Sequence, residues 1–196
     1  MSPLITTRAG ASANAYGWGA ASAAGTAYES IATVTAAGGE TSLSLSSISS
    51  AYTHLQIRGI ARDTFTGSSS IRSLLMRFNS DTGTNYARHQ LYGDGATAAA
   101  GGTATTTFMN LWSCAPSDAM TASVYGGLIL DVLDYASTSK YKTMEGFTGV
   151  DVNGSGSSNI VSGLWQSTSA ITSITFVAEA AAFKVGTSFA LYGIKA

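Results

Sequence analysis

The chain has 196 residues, of which 45% are hydrophobic and only 11% charged, with a formal net charge of −1. That length suffices for one domain with a real core, and the charge balance excludes both a basic nucleic-acid footprint and an acidic-partner footprint. So few charges protect poorly against association, and much of the surface is therefore expected to be covered by partners.

Cys114 is the single cysteine, which excludes an intrachain disulfide framework and a cysteine-cluster zinc site. No basic segment precedes an apolar one at the start, and no run of about 20 apolar residues occurs. The expectation is a chain neither Sec-targeted nor membrane-spanning.

Residues 1–27 are mostly Ala, Gly and Ser, with Leu4, Ile5, Tyr16 and Trp18 as isolated large side chains. Their apolar surface is too sparse to offset ordering entropy alone. The segment reads as an extended N-terminal arm that orders against another subunit, with these four side chains as anchors and small residues permitting close backbone approach; the alternative is an arm folded back on its own domain.

Residues 28–196 read as one β-domain. Tyr28 to Thr35 is a β-type run, and after the turn AAGGE the segment TSLSLSSI alternates Leu43 and Leu45 against serines. His54 to Arg62 opens another strand. After a polar loop, IRSLLMRFN is expected to place Leu74, Met76 and Phe78 inward and Arg72, Leu75 and Arg77 outward. ARHQLYG then leads into the low-complexity run GDGATAAAGGTAT, expected as a loop at an exposed rim, before TTTFMNLW resumes β character.

The chain's organising stretch is Val124 to Val150. Leu128, Leu130 and Val132 fall on one parity and Ile129, Asp131 and Leu133 on the other, so both faces are partly apolar, as in a central strand. DYASTSK supplies turn formers and KYKTMEGF resumes the alternation, which makes a hairpin. A helix is disfavoured, because Gly126 and Gly127 would each cost roughly 1 kcal/mol in it. NIVSGLWQS, ITSITFVAEA and GTSFALYGIK complete a pattern of strands about every 10 to 15 residues. It predicts an antiparallel β-sandwich, jelly-roll-like, of roughly eight to ten strands, with an up-and-down barrel as the alternative.

Chemical motifs are sparse. His54 and His89 lie on separate expected strands with no nucleophile or second ligand near them in sequence. DVNGSG at 151–156 opens like a calcium loop, but its twelfth position is Ser162 instead of a bidentate glutamate, so an Asx-stabilised turn is the better reading. Asp131 and Asp134, three apart on one strand, would point to opposite faces and make no glycosidase pair. There is no G-x-S-x-G, phosphate loop or dinucleotide fingerprint. Neither enzymatic activity nor a cofactor or metal is expected.

The segments LYGDG at 91–95, ILDVLDYASTSKYKTMEGFTG at 129–149, SGLWQSTSAITSITF at 162–176 and the terminal SFALYGIK resemble those of small β-rich virion proteins of tailed bacteriophages, notably phages of cyanobacteria and other aquatic bacteria. ASANAYGWG is similar to N-terminal segments of phage minor structural proteins. The resemblance implies a virion component whose partners are other virion subunits. One form is a capsid decoration, or cement, protein held by its arm. The other is a tail or fibre element that recognises a host-surface glycan, with Tyr92, Trp112, Trp165 and Tyr192 as stacking candidates and core packing as the alternative for these aromatics. The C-terminal strands look apolar on both faces, through Phe176, Ile174, Val177 and Phe183 and then Phe189, Leu191 and Ile194. A second apolar face must meet something, and a homotrimer is the expected arrangement.

Overall fold

The computed structural model describes residues 27–68 and 70–195, so Leu4, Ile5, Tyr16 and Trp18 lie outside the described residues. Among the described residues twelve strands run in order: β1 Tyr28–Thr35, β2 Ser42–Leu45, β3 His54–Ala61, β4 Ile71–Phe78, β5 Tyr86–Gly93, β6 Ala98–Thr106, β7 Met109–Pro116, β8 Gly126–Leu133, β9 Lys142–Asp151, β10 Gly156–Trp165, β11 Ile174–Ala178 and β12 Ser188–Ile194. They form an eight-stranded sheet, β1-β12-β3-β8-β9-β10-β5-β6, and a four-stranded sheet, β2-β11-β4-β7. All pairings are antiparallel. The molecule is an antiparallel β-sandwich of unequal sheets, and the chain crosses repeatedly from one layer to the other.

Alternation explains why these segments pair as they do. Leu55, Ile57 and Ala61 of β3, Leu128, Leu130 and Val132 of β8, and Leu74, Met76 and Phe78 of β4 are all buried between the layers. One residue of slip would turn each set outward, so burial fixes the register. The hairpin expected over Val124 to Val150 sits at the centre of the large sheet, where β8 pairs with β3 on one side and β9 on the other. The β9–β10 turn is as tight as its composition requires: Asn153 and Gly154 have φ of 63° and 114°, the pair of positive values a two-residue hairpin loop needs. Asp151 Oδ1 accepts the Asn153 N–H at 2.8 Å, which makes DVNGSG an Asx-stabilised turn.

Two expectations are corrected. GDGATAAAGGTAT is mostly strand, since β6 pairs with β5 along the far edge of the large sheet. Ladder hydrogen bonds come from the backbone, so a run of Ala and Gly with little β-propensity can still extend an edge already built. The C-terminal strands do not present a second apolar face. β11 belongs to the small sheet and β12 to the large one, and Ile174, Phe176, Phe183, Phe189 and Leu191 all meet in the core between them. Sequence parity shows two apolar faces there because consecutive strands approach one core from opposite layers.

Several loops are held by ionised carboxylates. Lys184, donating to Asp118 at 2.7 Å, and Arg62 beside it hold that carboxyl below its ordinary range. Lys140 does the same for Asp134, and backbone N–H groups of its own turn, including those of Ala37 and Gly38, do so for Glu40. A carboxyl whose folded pKa is depressed contributes stability above its unfolded pKa and loses it as pH falls through the folded value. Denaturant unfolding at a series of pH values is expected to give level stability above about pH 5 and a decline below about pH 4. Stability that held or rose on acidification would contradict these assignments.

Candidate functional site

The outer face of the large sheet carries what the sandwich interior does not use. Following the register across the strands, Arg58 of β3 lies beside Ile129, then Phe147, Ile160 and Leu91, and finally Ala100 of β6. These neighbours form a straight ladder at right angles to the strands. Phe147 is 62% exposed, Leu91 54%, Ile160 51% and Ile129 41%, so the ladder is an apolar ridge open to solvent. Isolated exposed hydrophobics are ordinary, but a contiguous row across four adjacent strands is not.

Two residues along each strand, roughly 7 Å away, runs a second row: Ile60, Gly127, Gly149, Ser158, Gly93 and Ala98. Its central members have little or no side chain. The result is a trough parallel to the ridge, and together they bound an open groove of about 970 Å³. On the other flank of the ridge the next row is polar, with Gln56, Asp131, Glu145, Ser162 and His89 side by side. Beyond the trough a polar hollow of about 670 Å³ shares Gly93, Gly149 and Ser158 with the groove. Its carboxylates are committed to their own turns: Asp94 Oδ1 accepts the N–H groups of Ala96 and Thr97 at 2.9 and 2.7 Å.

The glycines of the trough are not equivalent. A Cβ on Gly149 would lie 2.7 Å from the Ser157 carbonyl oxygen, so the local backbone requires glycine there. A Cβ on Gly127 would meet nothing within 4 Å among the described residues. Glycine inside a strand costs roughly 0.5–1 kcal/mol against alanine, and at Gly127 the packing of the described residues does not explain it.

Polar side chains tie this face to the small sheet. Thr148 Oγ1 and Asn159 Nδ2 donate to the Trp112 carbonyl at 3.0 and 3.3 Å, and Ser157 Oγ donates to the Ser113 carbonyl at 2.9 Å. These carbonyls are freed where β7 bulges against β4, with Ser113 at a φ of 47°. The ridge therefore stands on a sheet pinned from beneath.

The four aromatic candidates are not brought together. Trp165 is 2% exposed and packs against Phe78 and Tyr86, with its Nε1–H donated to Asp81 at 2.7 Å. Trp112 is half-buried on β7 with the Arg88 guanidinium 5.1 Å from its ring centre. Tyr92, half-buried on β5, lines one end of the groove. Tyr192 stacks on Tyr28 on the outer face, centroids 4.8 Å apart. Tyr28 in turn donates to Gln56 Oε1 at 2.8 Å.

The chain matches no protein-family model and no curated protein.

The polar candidates are likewise dispersed. His54 Nδ1 accepts the Asp134 N–H at 3.0 Å, while His89 is exposed on β5. Asp131 takes a hydrogen bond from Gln56 at 2.9 Å, and Asp134 is paired with Lys140. Cys114 is fully buried and its thiol is pushed up to about 12 by that burial, which suppresses the thiolate at neutral pH. What this surface offers is shape and apolar area. Sequence reasoning missed the ridge; its trace is the two-residue spacing in Gly127-x-Ile129, Phe147-x-Gly149, Leu91-x-Gly93 and Ser158-x-Ile160, meaningful only once the strands are aligned.

Proposed function

We propose that this chain is a structural component of a bacteriophage virion, in first place a capsid decoration protein attached to neighbouring subunits through the arm of residues 1–27. The observation that carries the reading is the apolar ridge of Ile129, Phe147, Ile160 and Leu91, set in a charge-poor surface and supported by a stiff sandwich. Such a face is costly to leave in water and gains on assembly. The segment resemblances to phage virion proteins supply the kind of assembly. The deciding measurement is copy number in purified particles: hundreds indicate decoration of a repeated capsid lattice, and a few dozen or fewer indicate a tail or fibre position. Absence from particles would refute the reading.

The arm is tested separately. Removing residues 1–27 is expected to leave a folded domain that no longer joins particles. Trp18→Ala should weaken particle binding by about 2 kcal/mol or more while the domain melts unchanged. Normal incorporation of the truncated chain would reject the anchoring role.

A tail or fibre element with glycan recognition is the second reading, favoured by the stacked Tyr28–Tyr192 pair beside the polar row of Gln56, Asp131 and Glu145. Specific signals on a glycan array, abolished by Tyr192→Ala, would support it.

A further inference from the structure

We infer that the outer face of the large sheet pairs with the same face of a second copy of this chain, the ridge of each seated in the trough of the other. Four adjacent strands each carry a large apolar residue and, two positions away on the same face, a glycine or serine: Ile129 with Gly127, Phe147 with Gly149, Ile160 with Ser158, Leu91 with Gly93. Ridge and trough are therefore parallel, equally long and one row apart. A twofold axis lying between two facing sheets, parallel to the rows and midway between them, carries every ridge residue over the trough residue of its own strand in the partner. Phe147 then stands over Gly149 and Ile129 over Gly127. That is the self-complementarity an isologous interface requires, whereas a different partner would need only one half of the relief.

Area agrees. The strands β3, β8, β9, β10 and β5 span roughly 24 Å across and roughly 27 Å along, a footprint of roughly 650 Å², against about 800 Å² per partner for a standard stable interface. Side-chain relief raises the accessible area above the flat footprint. On β8, β9, β10 and β5 both central rows are uncharged, and the charges of Arg58, Asp131 and Glu145 fall at the rim of the footprint, where water still reaches them. Gly127 supplies an independent indication: its Cβ position is empty among the described residues, and the pairing fills that space with the partner's Ile129.

This deepens the assembly reading by naming one partner, and the two are separable. Light scattering on the full chain at micromolar concentration is expected to give twice the 20.0 kDa of one chain. Phe147→Asp should weaken the dimer at least about thirtyfold by placing a charge in the trough. Gly127→Leu should do the same by filling the trough, while melting no lower than the parent after allowance for dimer loss, because its side chain enters open space. Circular dichroism checks that both variants are folded. A monodisperse monomer, a trimer, or a dimer indifferent to both substitutions would overturn the proposal. A monomer that is still found in particles refutes the pairing alone, and a dimer absent from particles refutes the virion reading alone.

Discussion

Phe189→Ala is expected to cost about 3–5 kcal/mol and to lower the melting temperature by roughly 6–20 °C. Phe189 is fully buried on β12 and stacks on Phe176 of β11 with centroids 3.9 Å apart and planes 16° from parallel. Phe183, from the loop joining those two strands, meets it edge-on at 5.9 Å. The pair joins the large sheet to the small one, so truncation leaves a void bounded by both layers. The floor cannot rise to fill it. Beneath the ring lies Gly59, where even a Cβ would come 2.5 Å from Phe189 Cδ1 and 2.8 Å from the Ser188 carbonyl oxygen. Loss of the ring removes the first of those contacts and leaves the second, so a compensating Gly59→Ala would still strain the β3–β12 ladder. Denaturant unfolding of the single variant gives the number. A loss below about 1 kcal/mol would mean that Phe183 swings in to close the space.

The ridge and this core show where sequence reading succeeds and where it stops. Leu74, Met76 and Phe78 alternate with Leu75 and Arg77 inside one strand, so their inward parity is local information and was legible. The hairpin of β8 and β9 was legible for the same reason. Phe176 and Phe189 look like members of opposite faces because parity is defined only within a strand, and the chain changes sheets between them. The ridge depends on three registers at once: β8 with β9, β9 with β10, and β10 with β5. Pairing between β10 and β5 joins segments some 70 residues apart, and alternation in either segment alone does not announce it. β6 was hidden for another reason, since an edge strand built of Ala, Gly and Thr is held by backbone hydrogen bonds and leaves almost no side-chain pattern. Trp165 is the converse case: an aromatic next to a turn can be a stacking platform or core, and Phe78, Tyr86 and Asp81, which decide between them, come from distant segments.

Arg62→Met is expected to destabilise the domain by about 3–5 kcal/mol, although it keeps much of the aliphatic stem and adds no charge. Arg62 follows β3 directly and is 2% exposed. Its guanidinium organises the loop between β7 and β8: Nη1 donates to the carbonyls of Thr121 and Val124 at 2.8 and 2.7 Å, Nη2 to that of Met120 at 3.1 Å, and Nε to Asp118 at 3.3 Å. Its backbone is fixed as well, since Thr187 Oγ1 accepts the Arg62 N–H at 3.1 Å and Lys184 N donates to the Arg62 carbonyl at 2.9 Å. A planar fork of five donors suits three converging carbonyls and a carboxylate. Methionine would leave those carbonyls without that partner, at about 1–3 kcal/mol for each one that stays buried, and water entry would relieve part of the cost. Arg62→Lys should recover only part of the loss, because one ammonium cannot reach all four acceptors. Asp118→Asn should cost less than either, since Asp118 is 27% exposed at its side chain and leaves the three carbonyl bonds intact. The order of the three unfolding free energies, with proteolysis used to detect opening at 117–125, checks the assignment. A loss below about 1 kcal/mol for Arg62→Met would show that the loop is held by its own turns and not by the guanidinium.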